Sequence, residues 1–183
     1  MSLRRVVSLV ALISVAVGAF TTAEAARRPK KQEEAAPAVT PGDKRDRTVA
    51  LPGSPFNGRA YWQAAAQCGG FYFRLNTIYS EQAITAKVTK PDPAAFTRLS
   101  KEADSASTTA TMFFEVAERF LVADRKASRE EAVLTYDSAA NAAGDRLKTV
   151  DAAIQAAQPC PELYNTCHGA FPQVCPERSV LTN

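Results

Sequence analysis

Three stretches of this chain place apolar or small residues at alternating steps of three and four, and that spacing leaves few folds open. The first runs Tyr61, Ala65, Cys68, Tyr72, Leu75, Tyr79, Ala83 and Ala86. The second runs Phe96, Leu99, Ala103, Ala106, Ala110, Phe113, Ala117 and Phe120, and the third Val133, Tyr136, Ala140, Ala143, Leu147, Val150, Ile154 and Ala157. Each series forms one stripe on a helix, and such a stripe must be buried against another helix. The fold class read from this is all-α: an antiparallel bundle of three long helices, each of roughly 30 residues or about 45 Å.

Local chemistry agrees with those boundaries. Asp92 is placed to cap the second helix with Pro93 at its first position, and Ser128 with Glu131 reads as a capping box opening the third. Pro159 and Pro161 are expected to close the third helix. The short connections make successive helices antiparallel neighbours. Gly69-Gly70 interrupts the first pattern at a cost of about 1 kcal/mol per glycine in a helix interior, and a kink or a close contact with the C-terminal tail is expected there.

The ends of the chain have other properties. Arg4 and Arg5 precede an uncharged apolar run over residues 6–20, followed by the small residues Ala23 and Ala25. That is the pattern of a cleavable signal peptide over residues 1–25, cut near Ala25. The run, about 15 residues, is shorter than the ~20 needed to cross a membrane as a helix, so no transmembrane segment is expected after cleavage. The expected location is the periplasm or the exterior, by either the general or the twin-arginine route. Residues 26–55, rich in charge and proline, read as a disordered basic tether. Its cluster Arg27, Arg28, Lys30 and Lys31 is the candidate contact for an envelope protein or an anionic envelope polymer. Residues 56–158 are then the bundle, and residues 159–183 a Cys-rich C-terminal tail, in part a short helical or coil element, packing upon it.

Charge divides along the same lines. Residues 26–47 hold seven basic and four acidic side chains, whereas residues 48–183 hold thirteen and fourteen. The folded body is therefore near neutral, and no nucleic-acid partner is expected.

Export changes the meaning of Cys68, Cys160, Cys167 and Cys175. An even number of cysteines in an oxidising compartment implies two disulfides. If the third helix runs unbroken and parallel to the first, Cys160 lies at the far end of the bundle from Cys68. A tail folding back then favours Cys68–Cys175 with Cys160–Cys167; Cys68–Cys160 with Cys167–Cys175 is the second choice. His168, the single histidine, follows Cys167, but Cys160 is too distant to form the Cys-x-x-Cys-His arrangement of covalent haem. It remains a weak candidate metal ligand; otherwise no metal and no cofactor is expected.

No nucleophile elbow, zinc-protease helix, phosphate loop or dinucleotide turn is present, and the chain does not read as an enzyme. Trp62, Phe71 and Phe73 lie off the seam of the first helix with Arg74 among them, and form its candidate binding face. Leu163, Tyr164, Phe171 and Val174 of the returning tail are their simplest cover. The functional expectation is an exported, non-catalytic binding or interaction module of the cell envelope. The alternative is a carrier of a small ligand, haem or metal that uses the bundle interior and His168.

Overall fold

Why the chain reverses direction where it does is written mostly in its helix caps. The computed structural model describes residues 44–175; the signal segment 1–25, the cluster Arg27, Arg28, Lys30 and Lys31 and the last residues 176–183 lie outside the described residues. Helix α1 (Tyr61–Val88) and helix α2 (Pro93–Phe120) are the two long elements. Asp92 accepts a hydrogen bond from the Ala95 amide at 2.9 Å with Pro93 in the first turn, so the reversal between the two helices takes only a few residues. They pack antiparallel along their length: Tyr61 stacks on Phe120, Tyr72 on Phe113, and Asn76 donates to the Ala103 carbonyl at 3.0 Å.

A π-helical turn (Leu121–Arg125) follows α2, ended by Lys126 in the left-handed region at φ 59°. Ser128 and Glu131 then form a complete capping box, and helix α3 (Arg129–Gly144) begins. It runs parallel to α1: Ala140 meets Gly70, and the Leu147 carbonyl just beyond its end accepts from Arg74 Nε at 2.7 Å.

Here the structure corrects the expectation of a third long helix. The helix stops at Gly144, the chain turns over residues 145–149, and helix α4 (Val150–Ala157) starts under a Thr149 cap, its hydroxyl accepting from the Ala152 amide at 3.2 Å. Ala153, with Leu147 and Val150 beside it, packs with Leu75 and Ala106, and Ala157 is buried, while Ile154, placed on the seam by the sequence, is 43% exposed. Helix α5 (Cys160–Ala170) continues in the same direction after Pro159. Together α4 and α5 form a broken fourth arm antiparallel to α1, from Leu75 through Cys68 to Tyr61. The fold is all-helical among the described residues, with two long helices and three shorter ones in place of three long ones.

That reversal also decides the disulfides. Cys160 arrives beside Cys68, with their Cα atoms 5.8 Å apart, and Cys167 bonds Cys175. The expected pairing Cys68–Cys175 with Cys160–Cys167 is thereby replaced by the second choice. The reason is topological, since an unbroken third helix would have carried Cys160 away from Cys68. All four sulfurs are in the core.

The boundary of the tether also moves. Val49 and Phe56 are each only 2% exposed, so residues 44–55 belong to the folded body and not to the linker expected over residues 26–55. This segment forms a loop closed by Val49 N–H to the Arg59 carbonyl and Gly58 N–H to the Val49 carbonyl, both at 2.8 Å. Its Arg47 carbonyl takes the Tyr61 amide at 2.9 Å, satisfying one of the unpaired donors at the start of α1, where Ala60 offers no side-chain cap. The fixed point of the loop is two Asp-Arg dipeptides that pair reciprocally across 78 positions. Asp46 receives Arg125 Nε at 2.8 Å and Nη2 at 2.7 Å together with the Trp62 indole N–H at 3.0 Å. Asp124 receives the Arg47 amide at 3.0 Å and its Nε at 2.8 Å.

Gly69-Gly70 does not interrupt α1, and what it meets is α2 and α3, not the tail. A Cβ at Gly70 would strike the Ala140 carbonyl oxygen and lie 2.8 Å from its carbon; one at Gly69 would overlap the Phe114 ring, which stacks on Tyr136. Gly144 faces Gly70 from the other side, 2.9 Å from its carbonyl oxygen on the same measure. Hydrogen-sized side chains thus set how closely α1 and α3 approach. Gly70→Ala is expected to cost about 2–3 kcal/mol, because the obstacle is backbone and cannot rotate away. Gly169→Ala, with nothing within 4 Å of the new methyl, should be neutral or slightly stabilising. Urea unfolding of the two variants distinguishes these outcomes; equal midpoints would remove the close-approach account.

Candidate functional site

From the loop into α1, Arg59, Gln63, Gln67 and Phe71 follow one another at steps of four, which lines them up on one helical face. Phe71, with Ala139, Ala143 and Ala156, makes the apolar floor of an open groove, and Arg59, Gln63 and Gln67 line its edge. One wall is Pro55 and Phe56 of the N-terminal loop; the opposite wall is made by α3, the turn after it and the α4–α5 junction. The groove has two adjoining lobes, of about 560 Å³ and 340 Å³, which share Arg59, Gln67, Phe71 and Ala156. The first is completed by Gln155, Gln158 and Pro159, the second by Ala139, Ala142, Ala143, Arg146 and Leu147.

Small residues make this space. Ala139, Ala142, Ala143 and Ala156 stand where larger apolar side chains would fill the gap against Phe71. Rigidity comes from behind the floor: Gly70 locks α1 to α3, and Arg74 Nε holds the turn over residues 145–149 by its bond to the Leu147 carbonyl. On the rim, Arg59 Nη1 donates to Gln67 Oε1 at 2.9 Å, which orients the guanidinium over the floor. Arg59 and Arg146 are both exposed, and no carboxylate lines either lobe. The two guanidinium groups give the groove a positive potential over an apolar floor.

The aromatic face expected on α1 is divided by the fold. Trp62 is 4% exposed, enclosed by the N-terminal segment, with Asp46 on its indole N–H and the Arg125 guanidinium 4.9 Å above its ring. Phe71 lies in the groove, and Phe73 stands in solvent at 53% exposure. Arg74 is committed to the turn. These four residues therefore do not form one surface. The tail covers other aromatic rings than those anticipated: Phe171 meets Tyr61 and Phe120 edge-on at 5.3 and 5.7 Å, and Tyr164 meets Phe113 at 6.3 Å.

His168 is half-buried on α5 with its Nδ1 lacking a hydrogen-bond partner, and no group of three metal-ligating side chains occurs among the described residues. Glu118 pairs with Arg129 at 3.2 Å, and Glu131 completes its capping box. Burial pushes the hydroxyls of Tyr61 and Tyr72 above their ordinary range, so both rings stay protonated at neutral pH. Sequence reasoning missed Arg59, Gln63, Gln67 and Arg146. The signal was a stripe of polar residues at i, i+4 leading into a helix whose other positions from Tyr61 to Phe73 are apolar or glycine, and only the broken third helix explains what faces it.

Comparison of the chain with protein-family models, with curated proteins and with solved structures finds no match.

Proposed function

We propose that this protein is a non-catalytic binding module of the exported envelope compartment, and that the groove along α1 is its contact surface. The observation that carries this reading is the lining itself: an apolar floor at Phe71, a rim of amides, and two arginines without a facing carboxylate. Buried apolar area supplies affinity, and a few fixed polar groups supply orientation. Export rests on the signal pattern of residues 1–25, and the cluster Arg27, Arg28, Lys30 and Lys31 would add weak, salt-sensitive attraction to an anionic envelope surface.

A ligand carried inside the bundle has less support. Tyr61, Phe113, Phe120 and Tyr164 and the Cys68–Cys160 bridge occupy the space between α1, α2 and α5, each almost fully buried. His168, next to the buried Cys167 on α5, is half-buried at the edge of this packing.

A photo-crosslinking residue at Gln67, in cells that make the full chain, tests the reading. The expected result is a discrete adduct from position 67 that is absent when the same group is placed at the exposed Glu130 on α3, and that falls strongly when Phe71→Ala is added. Equal labelling at both positions would mean that the groove is ordinary surface.

A further inference from the structure

We infer that the groove takes an extended acidic peptide; this rests on the reading of the groove as the contact surface and names the chemistry of its occupant. Charge complementarity is the first argument. Arg59 and Arg146 border the floor, and no acidic side chain lines either lobe to neutralise them. Paired arginines are the common solution for recognising carboxylates, because each guanidinium presents parallel donors that match two carboxylate oxygens.

The amides distinguish a peptide from the other anionic occupant, a lipid acyl chain with its headgroup. Gln63, Gln67, Gln155 and Gln158 are distributed through both lobes. Each side chain offers a donor and an acceptor, the same pair that every residue of an extended peptide presents from its backbone. Under an alkyl chain those amides would lose water and gain nothing in return. The floor of Phe71 with Ala139, Ala143 and Ala156 offers apolar contact to small side chains between the acidic ones. A sequence alternating glutamate with alanine meets both requirements.

The experiment uses the full mature chain and a fluorescein-labelled octapeptide of alternating glutamate and alanine, read by fluorescence polarisation. Binding is expected to weaken about tenfold for each of Arg59→Ala and Arg146→Ala, the scale of one charge-assisted contact. The glutamine–alanine counterpart should bind at least about tenfold more weakly than the acidic peptide. Replacing Arg27, Arg28, Lys30 and Lys31 together by alanine should leave the Arg59 and Arg146 effects intact. The combined Arg59→Glu and Arg146→Glu variant should lose the acidic peptide and gain the lysine–alanine one, a result that a misfolded protein cannot give.

Four outcomes overturn the inference. The first is equal binding of the acidic and neutral peptides, and the second is no binding of either. The third is binding of the acidic peptide that depends only on Arg27, Arg28, Lys30 and Lys31. The fourth is binding of phosphatidylglycerol vesicles through Arg59 and Arg146 without binding of the peptide, which would make the occupant a lipid. A persistent Gln67 adduct alongside any of these results would leave the groove as a contact surface and reject only its peptide chemistry; loss of the adduct as well would reject both.

Discussion

Replacing Cys68 and Cys160 together by alanine is expected to lower the unfolding free energy by about 4–5 kcal/mol, a large share of the ~5–15 kcal/mol that domains commonly have. The bridge spans 92 positions and ties the first helix to the start of the last, so cutting it frees a long closed loop in the unfolded ensemble. Removing Cys167 and Cys175, only 8 positions apart, should cost about 2–3 kcal/mol by the same loop-closure reasoning. Urea unfolding of the two double variants beside the parent protein measures the contrast, and equal losses would rule out loop closure as its cause. The connectivity itself is open to peptide mapping under denaturing, non-reducing conditions. Cleavage after Arg59, Arg74, Lys148 and Glu162 separates Cys160 from Cys167 and Cys175, and the fragment carrying Cys68 should remain joined to the one carrying Cys160. A fragment joining Cys68 to Cys175 would restore the pairing expected for an unbroken third helix.

The second large effect concerns the paired Asp-Arg dipeptides. Asp46→Ala removes the acceptor of two Arg125 hydrogen bonds and of the Trp62 indole N–H, at a carboxylate whose side chain is 1% exposed. Losing one member of a buried ion pair costs about 3–5 kcal/mol, most of it from the charge left behind. The double change Asp46→Leu with Arg125→Met should therefore recover much of the loss, although it removes more of the native interaction. Trp62 is the only tryptophan, so its emission reports this junction alone. A red shift is expected in Asp46→Ala as the N-terminal loop lifts and water reaches the indole. The Arg47–Asp124 pair should matter less, since the Arg47 side chain is 30% exposed, although it also lies 4.7 Å over Phe120 and 4.9 Å over Phe171. If the double change is as unstable as the single one, the cluster is held by packing and not by charge.

Legibility of the site followed legibility of the third helix. Phe71, Trp62, Phe73 and Arg74 all lie off the seam of α1, yet the fold sends Trp62, Phe73 and Arg74 to three different environments. A helical wheel gives direction from one axis. It does not say which neighbour occupies that direction. Trp62 met a segment expected to be linker, because Val49 and Phe56 are isolated apolar residues in a stretch without period, and periodicity detects only regular elements. Arg59 and Arg146 are 87 positions apart and became neighbours around the groove only through the α3–α4 turn.

Local sequence alone set the helical class, the first two helices with the cap of the second, and the start of the third. Those depend on interactions within a few residues: seam spacing, Asp92 with Ala95, Ser128 with Glu131. Tertiary structure decided where the third pattern breaks, which cysteines meet, and where the groove opens. In the third pattern, alanines fall on both faces and leave the phase of the stripe ambiguous across residues 144–150. Packing against α1 resolves it, because Gly70 admits Ala140 and Gly144 at backbone distance and Leu75 receives Ala153 only after the chain has turned back.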